Sequence, residues 1–331
     1  MFYRNKIVLV TGGTGFVGTN FVEELVRRGA RVRVPIHRRP LLVKSDLIEA
    51  VPADLSSIDD CLALCQGVDY VIHAGGGVAP AAITNAATSI NPLSVINLNL
   101  IVSSQMLQAA WVAGVERFLM LSSTTVYPPA ERPIQEDEAW SAPPYPVYFA
   151  YGWMRRYLER MAEFVTMKSS MKIALIRPTA AYGRYDDFHP VQSHVIPALI
   201  RKAVEKLNPY EVWGSGDEVR DFVHVTDIVQ GGLLALEKHA TCDPINIGYG
   251  KGFTIKDVVR IVLRETGHTG AKVQFNTSKP TTIPFRMVDI TKARKLLGFE
   301  PKVSLEEGLA DMVKWYVANR EMTRTGAASE P

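Results

Sequence analysis

Residues 6–18 read KIVLVTGGTGFVG, a short apolar run that leads directly into a glycine-rich turn. The next residues, TNFVEELVRRGA (19–30), have the apolar spacing of a helix that ends near Gly29. A glycine turn between a strand and a helix can bind a pyrophosphate, because glycines let the backbone approach and the helix N-terminus favours an anion. The stretch therefore predicts a dinucleotide-binding unit, and a glycine turn without a ligand is the less favoured alternative.

The turn fits two glycine patterns at once. Gly13, Gly15 and Gly18 match G-x-G-x-x-G, whereas Gly12, Gly15 and Gly18 match G-x-x-G-x-x-G. Since the loop alone does not choose between them, we predict cofactor contacts along its whole length. The predicted contact residues are Gly12, Gly13, Thr14, Gly15, Phe16, Val17 and Gly18.

Strand and helix patterns alternate through the first half of the chain. Predicted strands cover 30–37, 68–76, 115–123 and 171–179, and predicted helices cover 57–67, 95–114 and about 151–165. Repeated βα units of this kind predict an α/β, Rossmann-like, doubly wound parallel sheet. We expect a dinucleotide-binding domain (1–179 plus about 223–248), a smaller discontinuous C-terminal substrate lobe (about 180–222 plus 249–320) and a disordered tail (321–331).

Composition and charge exclude several classes of protein. The chain has 331 residues, 47% of them apolar, and a formal net charge of +3 with basic residues spread along the sequence. This charge provides no sustained surface for nucleic acid or an anionic membrane, so we expect neither partner. Three cysteines without a paired or metal-like spacing fit a reducing compartment, and the N-terminal apolar run is too short to span a membrane. We therefore expect a cytoplasmic protein without a bound metal.

The end of the second predicted strand bears on the choice of cofactor. It reads PIHRRP (35–40), where NAD sites usually place an Asp or Glu that binds the ribose hydroxyls. Arg38 and Arg39 can instead pair with a 2′-phosphate, and His37 can line it. We predict NADP(H) as the preferred cofactor and NAD(H) as the second choice, and a solvated basic turn is the alternative.

An ordered set of motifs covers nearly the whole chain. They are TGGTGFVG, ADLSS (53–57), HAGGG (73–77), INLNL (96–100), SSTTVY (122–127), Tyr151-x-x-x-Arg155, RPTAAYG (177–183), RDFVHVTDI (220–228) and DITKARKLLGFEPKVSLEEGL (289–309). In this order they resemble the extended short-chain dehydrogenase/reductases, the NAD(P)-dependent epimerase/dehydratase family that acts on nucleotide sugars. FHPVQSHVIPALIRK (188–202) and VWGSGDEVRDFVHV (212–225) most resemble its GDP-L-fucose synthase branch.

The resemblance implies roles for individual residues. It makes Tyr151 the acid/base that exchanges a proton with the sugar C4 oxygen, and Ser123 the hydroxyl that holds this oxygen. Asn99 matches an active-site asparagine, His194 a histidine tied to epimerisation, and Arg220 an arginine that binds diphosphate or sugar. Asp54 matches the residue on the adenine side of the cofactor. The implied cofactor contacts are Asp54, Leu55, Ala74, Gly75, Tyr151, Arg155 and Pro178. The implied substrate contacts are Asn99, Ser123, Thr125, Thr179, His194, Arg201 and Arg220.

Arg155 stands where the family carries lysine. The pKa of a free tyrosine is about 10, so a phenol that works near neutrality needs a nearby cation. A cation four residues later lies on the same helix face. Guanidinium keeps the charge but is planar and longer, so the exchange is not conservative. We predict that Tyr151 and Arg155 form a catalytic pair, and two surface residues that share a helix face are the alternative.

Three other positions differ from the family patterns. Thr124 and Thr125 stand where 4,6-dehydratases carry Asp and Glu, and a hydroxyl lacks the basicity of a carboxylate. Thr125 also replaces the cysteine that serves fucose synthases as the 3,5-epimerising base. Ala180 replaces an asparagine that touches the diphosphate, so phosphate contacts would depend on Arg220, with Arg201 or Lys202 as further candidates. For Lys202 an ordinary surface position is the favoured alternative. We therefore expect neither a dehydratase nor a full 3,5-epimerase.

Together these features favour an NADP(H)-dependent oxidoreductase that acts at C4 of a nucleotide-activated hexose, as a 4-keto reductase that prefers GDP-sugars. Two alternatives stay open: a 4-epimerase that recycles tightly bound NAD(P), and a homologue that binds cofactor without turnover. Family members pair the helices that here contain VINLNLIVSSQMLQAAWV (95–112) and GWMRRYLERMAEFV (152–165) in a four-helix bundle. We therefore expect a homodimer.

Overall fold

The structure is a computed structural model that describes residues 2–76, 91–190, 193–279, 281 and 283–320. Its strands are β1 (Ile7–Thr11), β2 (Arg31–Ile36), β3 (Ile48–Pro52), β4 (Tyr70–His73), β5 (Arg117–Leu121), β6 (Lys172–Pro178), β7 (Ala180–Tyr182), β8 (Tyr210–Trp213), β9 (Val219–Arg220), β10 (Phe222–His224), β11 (Ile245–Ile247), β12 (Phe253–Thr254), β13 (Val273–Asn276) and β14 (Phe285–Arg286). Its α-helices are α1 (Phe16–Arg27), α2 (Ile58–Cys65), α3 (Pro92–Val112), α4 (Phe149–Lys168), α5 (Val195–Val204), α6 (Val225–Lys238), α7 (Ile255–Glu265), α8 (Thr291–Leu297) and α9 (Leu305–Ala318).

Seven parallel strands form the central sheet in the order β11-β6-β5-β4-β1-β2-β3. Residues 8–10 of β1 are fully buried, because helices cover both faces of the sheet. One core contains Phe21 of α1 and Leu233 of α6, and the other contains Met106 of α3 and Leu158 of α4. The predicted α/β class is confirmed. The strand order reverses between β1 and β4, which is where folds of this type bind dinucleotides.

The edge strand β3 is the main element that the sequence pattern does not predict. It pairs with β2 in parallel, with Ile48 opposite Val32. Glu49 and Ala50 are exposed, so the segment has no continuous apolar run. The Arg33 Nε lies 2.8 Å from Glu49 Oε2 across the two strands. The strand is therefore defined by its partner β2 rather than by its own pattern.

The chain after residue 179 builds a smaller lobe with short strands. β10 pairs with β7, β9 lies between β12 and β14, and β13 pairs with β8. Helices α5, α7 and α9 contribute to a separate hydrophobic core. In contrast, β11 joins the edge of the main sheet beside β6, and α6 packs in the first core. These contacts support the two-part division that we propose, in which residues at about 223–248 belong to the dinucleotide-binding domain. The predicted disordered tail, 321–331, lies outside the described residues.

Helix α3 is apolar on more than one face. Leu93–Val112 is long and apolar enough to cross a membrane by length and composition alone, a test that core helices also pass. Met106 and Leu107 are buried in the second core, so packing beneath the helix accounts for one apolar face. Leu98 and Ile101 are exposed, so a second face presents apolar side chains to solvent.

Candidate active site

The glycine turn joins β1 to α1 at the carboxyl edge of the sheet. Gly12 has a φ of +68°, and a Cβ there would lie 2.6 Å from the Ala74 carbonyl oxygen. A Cβ on Gly18 would lie 2.0 Å from the Gly12 carbonyl oxygen, and one on Gly13 2.7 Å from a β2 side chain. Gly15 is less restricted, since its Cβ would lie 3.3 Å from the Gly12 oxygen. Packing of the turn therefore needs Gly12, Gly13 and Gly18, whereas Gly15, which both patterns share, is less restricted by its neighbours.

The first turn of α1 is suited to an anion. Its N-cap Gly15 provides no side-chain hydrogen bond, and the first turn contains no acidic residue. The first N–H groups of a helix have no partner within the helix and carry a partial positive charge. The predicted contact residues Phe16 and Val17 lie in this first turn, and Thr14 directly precedes the N-cap. The close backbone approach and the open helix end thus fit a dinucleotide pyrophosphate.

Predicted adenosine-side residues lie together at the ends of β2 and β3. Asp54 Oδ1 accepts hydrogen bonds from the Ser56 N–H and hydroxyl, both at 2.8 Å. These bonds, followed by the charges of His37 and Arg38, lower the pKa of Asp54. His37, Arg38 and Arg39 are exposed after β2. The arrangement leaves a basic segment beside the one carboxylate predicted to face the adenosine.

His73 supports the cofactor turn from beneath. Its Nδ1 lies 2.8 Å from Thr11 Oγ1 and its Nε2 lies 3.0 Å from Ser103 Oγ. The Gly75 N–H donates to Thr11 Oγ1 at 3.0 Å. Burial, followed by the charge of Arg155, lowers the pKa of His73 to about 3, so the imidazole is neutral. His73 therefore orders the segment that carries the predicted contacts Ala74 and Gly75.

Tyr151 and Arg155 meet inside the protein. Arg155 Nη2 lies 2.6 Å from Tyr151 Oη, and the two side chains are only 5% and 8% exposed. The guanidinium also donates to the Leu121 carbonyl oxygen at 3.0 Å and to Asn99 Oδ1 at 3.4 Å. Tyr151 and Arg155 are therefore not a surface pair. The geometry places a permanent cation directly on the phenol oxygen, with Asn99 beside it.

Ser123 and Thr125 lie on the turn that follows β5. Ser123 is half-buried, and its Oγ accepts from the Thr125 N–H at 3.2 Å. Thr125 is buried, and its Oγ1 has no hydrogen-bond partner among the described residues. A Cβ on Gly152 would lie 2.5 Å from the Thr125 carbonyl oxygen, so this turn packs directly on the start of α4. Both predicted hydroxyls thus lie beside the helix that carries Tyr151.

His194 precedes α5 and pairs with a buried carboxylate. Its Nδ1 lies 3.1 Å from Asp186 Oδ1, and the side chains of His194 and Asp186 are 45% and 1% exposed. Burial lowers the pKa of His194, but the Asp186 charge and hydrogen bond outweigh this effect, so the net pKa is raised. Asp186 Oδ2 has no partner among the residues that the structure describes. The pair can present a protonated imidazole to solvent or substrate.

Two arginines lie opposite each other on neighbouring lobe strands. Arg220 of β9 is the register partner of Arg286 of β14. Burial lowers the pKa of both guanidinium groups, in Arg286 to about 10. Arg286 Nη1 donates to Thr124 Oγ1 at 3.4 Å, and its Cζ lies 4.7 Å from the Tyr148 ring centroid. The sequence prediction included Arg220 but missed Arg286, which stands just three residues before the DITKAR motif.

Other predicted substrate residues have partners elsewhere. Arg201 Nη1 lies 2.8 Å from Glu205 Oε2 on the same helix. The Thr179 hydroxyl donates to Asp221 Oδ1 at 3.4 Å, and the same carboxylate accepts from the Tyr249 N–H at 2.7 Å. Burial raises the pKa of Asp221 to about 6. The contacts of Thr179 and Arg201 are thus internal, whereas Pro178 ends β6, opposite Ile247 of β11.

Comparison with known proteins agrees with this geometry. Residues 8–248 match the NAD dependent epimerase/dehydratase family. The chain is 30% identical to a putative GDP-L-fucose synthase of Arabidopsis thaliana, over 96% of this chain and 94% of that protein. An epimerase structure from Methanothermobacter thermautotrophicus matches with a TM-score of 0.86 and 26% identity, over 98% of this chain and 95% of its own.

A UDP-glucose 4-epimerase of Thermotoga maritima, crystallised with UDP-glucose, matches with a TM-score of 0.83 and 25% identity, over 95% of this chain and 99% of that chain. The family match covers the glycine turn, the Tyr151–Arg155 pair and the Ser123 turn. The chain belongs to the NAD-dependent epimerase/dehydratase family and is an NAD(P)-dependent nucleotide-sugar enzyme.

Proposed function

We propose that the chain is an NADP(H)-dependent oxidoreductase that acts at C4 of a nucleotide-activated hexose, as a 4-keto reductase that prefers GDP-sugars. The observation that carries this proposal is the buried contact of Arg155 Nη2 with Tyr151 Oη at 2.6 Å, beside the Ser123 turn. When bound, the nicotinamide supplies the hydride for C4. The residues of the chain supply the proton and hold the oxygen.

Tyr151 donates its phenolic proton to O4 as the carbonyl carbon becomes a carbinol carbon. The tyrosinate that remains is stabilised by the Arg155 guanidinium, which already bonds to this oxygen. The half-buried Ser123 hydroxyl holds O4. A buried pair of this kind excludes water from the tyrosine oxygen, so the electrostatic effect of Arg155 is larger than at a surface.

Arg220 and Arg286 are proposed to bind the substrate diphosphate. Burial depresses the pKa of both guanidinium groups, so a bound anion would relieve an existing electrostatic cost. In this proposal Arg286, rather than Arg201, binds the diphosphate together with Arg220. The basic segment with Arg38 and Arg39 supports NADP(H), and near-equal affinity for NADPH and NADH in a titration would contradict this preference.

A 4-epimerase is the second candidate. The likeness to the Thermotoga maritima UDP-glucose 4-epimerase favours it. An epimerase removes the C4 hydride and returns it to the opposite face, so NAD(P) stays bound and is not consumed. The Tyr151–Arg155 pair serves both reactions, since each needs a proton exchanged at O4.

We also propose a cytoplasmic homodimer that binds neither nucleic acid nor membrane.

The test is to mix the purified protein with NADPH and a panel of 4-keto nucleotide sugars that includes GDP-linked members, and to follow NADPH absorbance. Consumption that matches product formation supports the reductase. Conversion of saturated UDP- or GDP-sugars into their C4 epimers without NADPH consumption supports the epimerase. In either assay Tyr151→Phe should lower kcat at least about a hundredfold. Full activity of this variant would rule out the assignment of Tyr151.

A further inference from the structure

One face of helix α4 lies against the whole turn that carries Ser123. Gly152, Arg155, Arg156 and Glu159 are spaced i, i+3, i+4 and i+7, so they share this face. Gly152 allows the close approach to the Thr125 carbonyl described above. The other three side chains each reach a different point of residues 121–126. The helix that carries Tyr151 therefore also determines where the turn lies.

Three polar contacts tie the turn to this face. Arg155 Nη1 donates to the Leu121 carbonyl oxygen at 3.0 Å, and Arg156 Nε donates to the Val126 carbonyl oxygen at 2.9 Å. Between them, the Ser122 hydroxyl donates to Glu159 Oε1 at 2.5 Å, and both residues are buried. The contacts hold the turn at its first two residues, Leu121 and Ser122, and at Val126.

Glu159 is itself held rigidly. Arg177 donates to its two oxygens at 2.9 and 2.7 Å in a bidentate pair, and both side chains are at most 5% exposed. Arg177 Nη1 also donates to Tyr127 Oη at 2.9 Å, and Tyr127 immediately follows the turn. A planar guanidinium bound to both carboxylate oxygens fixes the direction from which Glu159 can accept a hydrogen bond from Ser122.

We infer that Ser122 and Glu159 are positioning residues, which hold the neighbouring Ser123 hydroxyl at a fixed distance from Tyr151 Oη. This inference rests on the proposed function, because it assigns Ser123 to the C4 oxygen. Neither Ser122 nor Glu159 needs to touch the substrate. The Ser122 hydroxyl bonds to a lone pair of Glu159 that Arg177 leaves free, and in this way it links the buried ion pair to the residue next to Ser123. Small displacements of a group that holds the reacting oxygen reduce turnover strongly.

The test compares Ser122→Ala with Ser169→Ala. The first change removes the bond to Glu159 but leaves the Glu159–Arg177 pair intact. The second removes a half-buried hydroxyl from the far end of the same helix, where it donates to the Val165 carbonyl oxygen. For Ser122→Ala we expect kcat to fall about tenfold with the KM for NADPH unchanged. Amide hydrogen exchange of the NADPH-bound protein should rise in residues 121–127 and stay unchanged in α1 and α3.

For Ser169→Ala we expect both quantities to match the wild type. Equal kcat and equal exchange in the two variants would overturn the inference, and so would an exchange increase spread over the central sheet. If the wild type turns over no nucleotide sugar, the proposed function fails, and the exchange measurement alone then tests whether Ser122 holds the turn. Absence of a local exchange increase in Ser122→Ala would overturn it in that case too.

Discussion

Arg155 shows how one residue can serve two purposes at the active site. A lysine ammonium is a compact charge, whereas the planar guanidinium has donors in several directions. In this protein those donors reach Tyr151 Oη, the Leu121 carbonyl oxygen and Asn99 Oδ1. The role that we propose for the residue is therefore to stabilise the phenolate, and its bond to Leu121 also holds the end of β5. The substitution of the family lysine is thus compatible with chemistry and does not by itself indicate lost function.

We predict that Arg155→Met lowers kcat at about pH 7.5 by at least roughly a hundredfold, because the tyrosinate loses its adjacent cation. Arg155→Lys should retain more activity than Arg155→Met, because the ammonium keeps the positive charge. It should remain less active than the wild type, because the ammonium cannot make all three contacts of the guanidinium. Steady-state kinetics of both variants with NADPH and a 4-keto nucleotide sugar that the wild type reduces would measure this. A wild-type kcat in Arg155→Met would contradict the role of Arg155.

We expect the Asp186–His194 pair to make the free energy of unfolding depend on pH. The pKa of His194 is raised in the folded protein. Such a pair stabilises the fold below the ordinary histidine pKa of about 6.5, and this contribution disappears as the pH rises through the folded value. Asp186→Asn should therefore lower Tm more at about pH 5.5 than at about pH 9. Thermal melts at the two pH values measure the difference.

Asp187→Asn is the matched control, since Asp187 acts on the pKa of His194 through its charge alone. The difference between the Tm decreases at about pH 5.5 and about pH 9 should be smaller for Asp187→Asn than for Asp186→Asn. Equal losses for Asp186→Asn at both pH values would show that the carboxylate does not hold a protonated imidazole.

Elements with strong local patterns were predictable, and those defined by distant partners were not. The β1 turn and α1 follow from their own residues, because glycines and apolar spacing act locally. β3 lacks an apolar run and depends on β2. Arg286 can be recognised as a site residue only from its pairing with Arg220, which lies 66 residues earlier in the chain. The Glu159–Arg177 pair likewise joins a helix to a strand, so neither residue alone indicates a network.

The glycine turn offers a test of the β1–α1 unit as a cofactor site. In Gly18→Ala the new Cβ would lie 2.0 Å from the Gly12 carbonyl oxygen, so the turn or the helix must move. We expect the Kd for NADPH to rise more than about tenfold, because the pyrophosphate site is distorted. Gly270→Ala is the control, since nothing lies within 4 Å of its Cβ. Calorimetric titrations giving equal Kd values for both variants would contradict a cofactor site at this turn.

At the scale of the whole molecule, α3 and α4 leave an apolar surface uncovered within the chain. The exposed apolar side chains of α3 include Leu93, Leu98, Ile101, Trp111 and Val112, and those of α4 include Phe149, Trp153, Tyr157, Phe164 and Met167. The α4 residues recur at helical spacing, so most form one stripe. A groove between the two helices is lined by Leu107, Trp111, Tyr157, Met161 and Phe164, among others. A contiguous apolar surface of this kind is typical of an interface between subunits.

We predict that the protein is a homodimer in which α3 and α4 of each subunit form a four-helix bundle. In a two-fold arrangement the apolar stripe of one subunit packs against the same stripe of the other, so one surface patch on each chain forms the whole interface. Sedimentation velocity at micromolar concentration should give twice the chain mass of 36.6 kDa. Tyr157→Glu combined with Phe164→Glu should give a monomer, because it places two charges in an apolar contact.

Val317→Glu is the matched control for this experiment. Val317 is 57% exposed on α9 of the substrate lobe, so the same change there should leave the dimer intact. The double variant adds two negative charges and the control adds one, all at exposed apolar positions, so the control measures what a glutamate does away from the α3–α4 surface. Because α4 also carries Tyr151, Arg155 and Glu159, the interface would stiffen the helix that positions the reacting groups. A monomeric wild type, or a dimeric Tyr157→Glu/Phe164→Glu variant, would contradict both the bundle and this link between assembly and site.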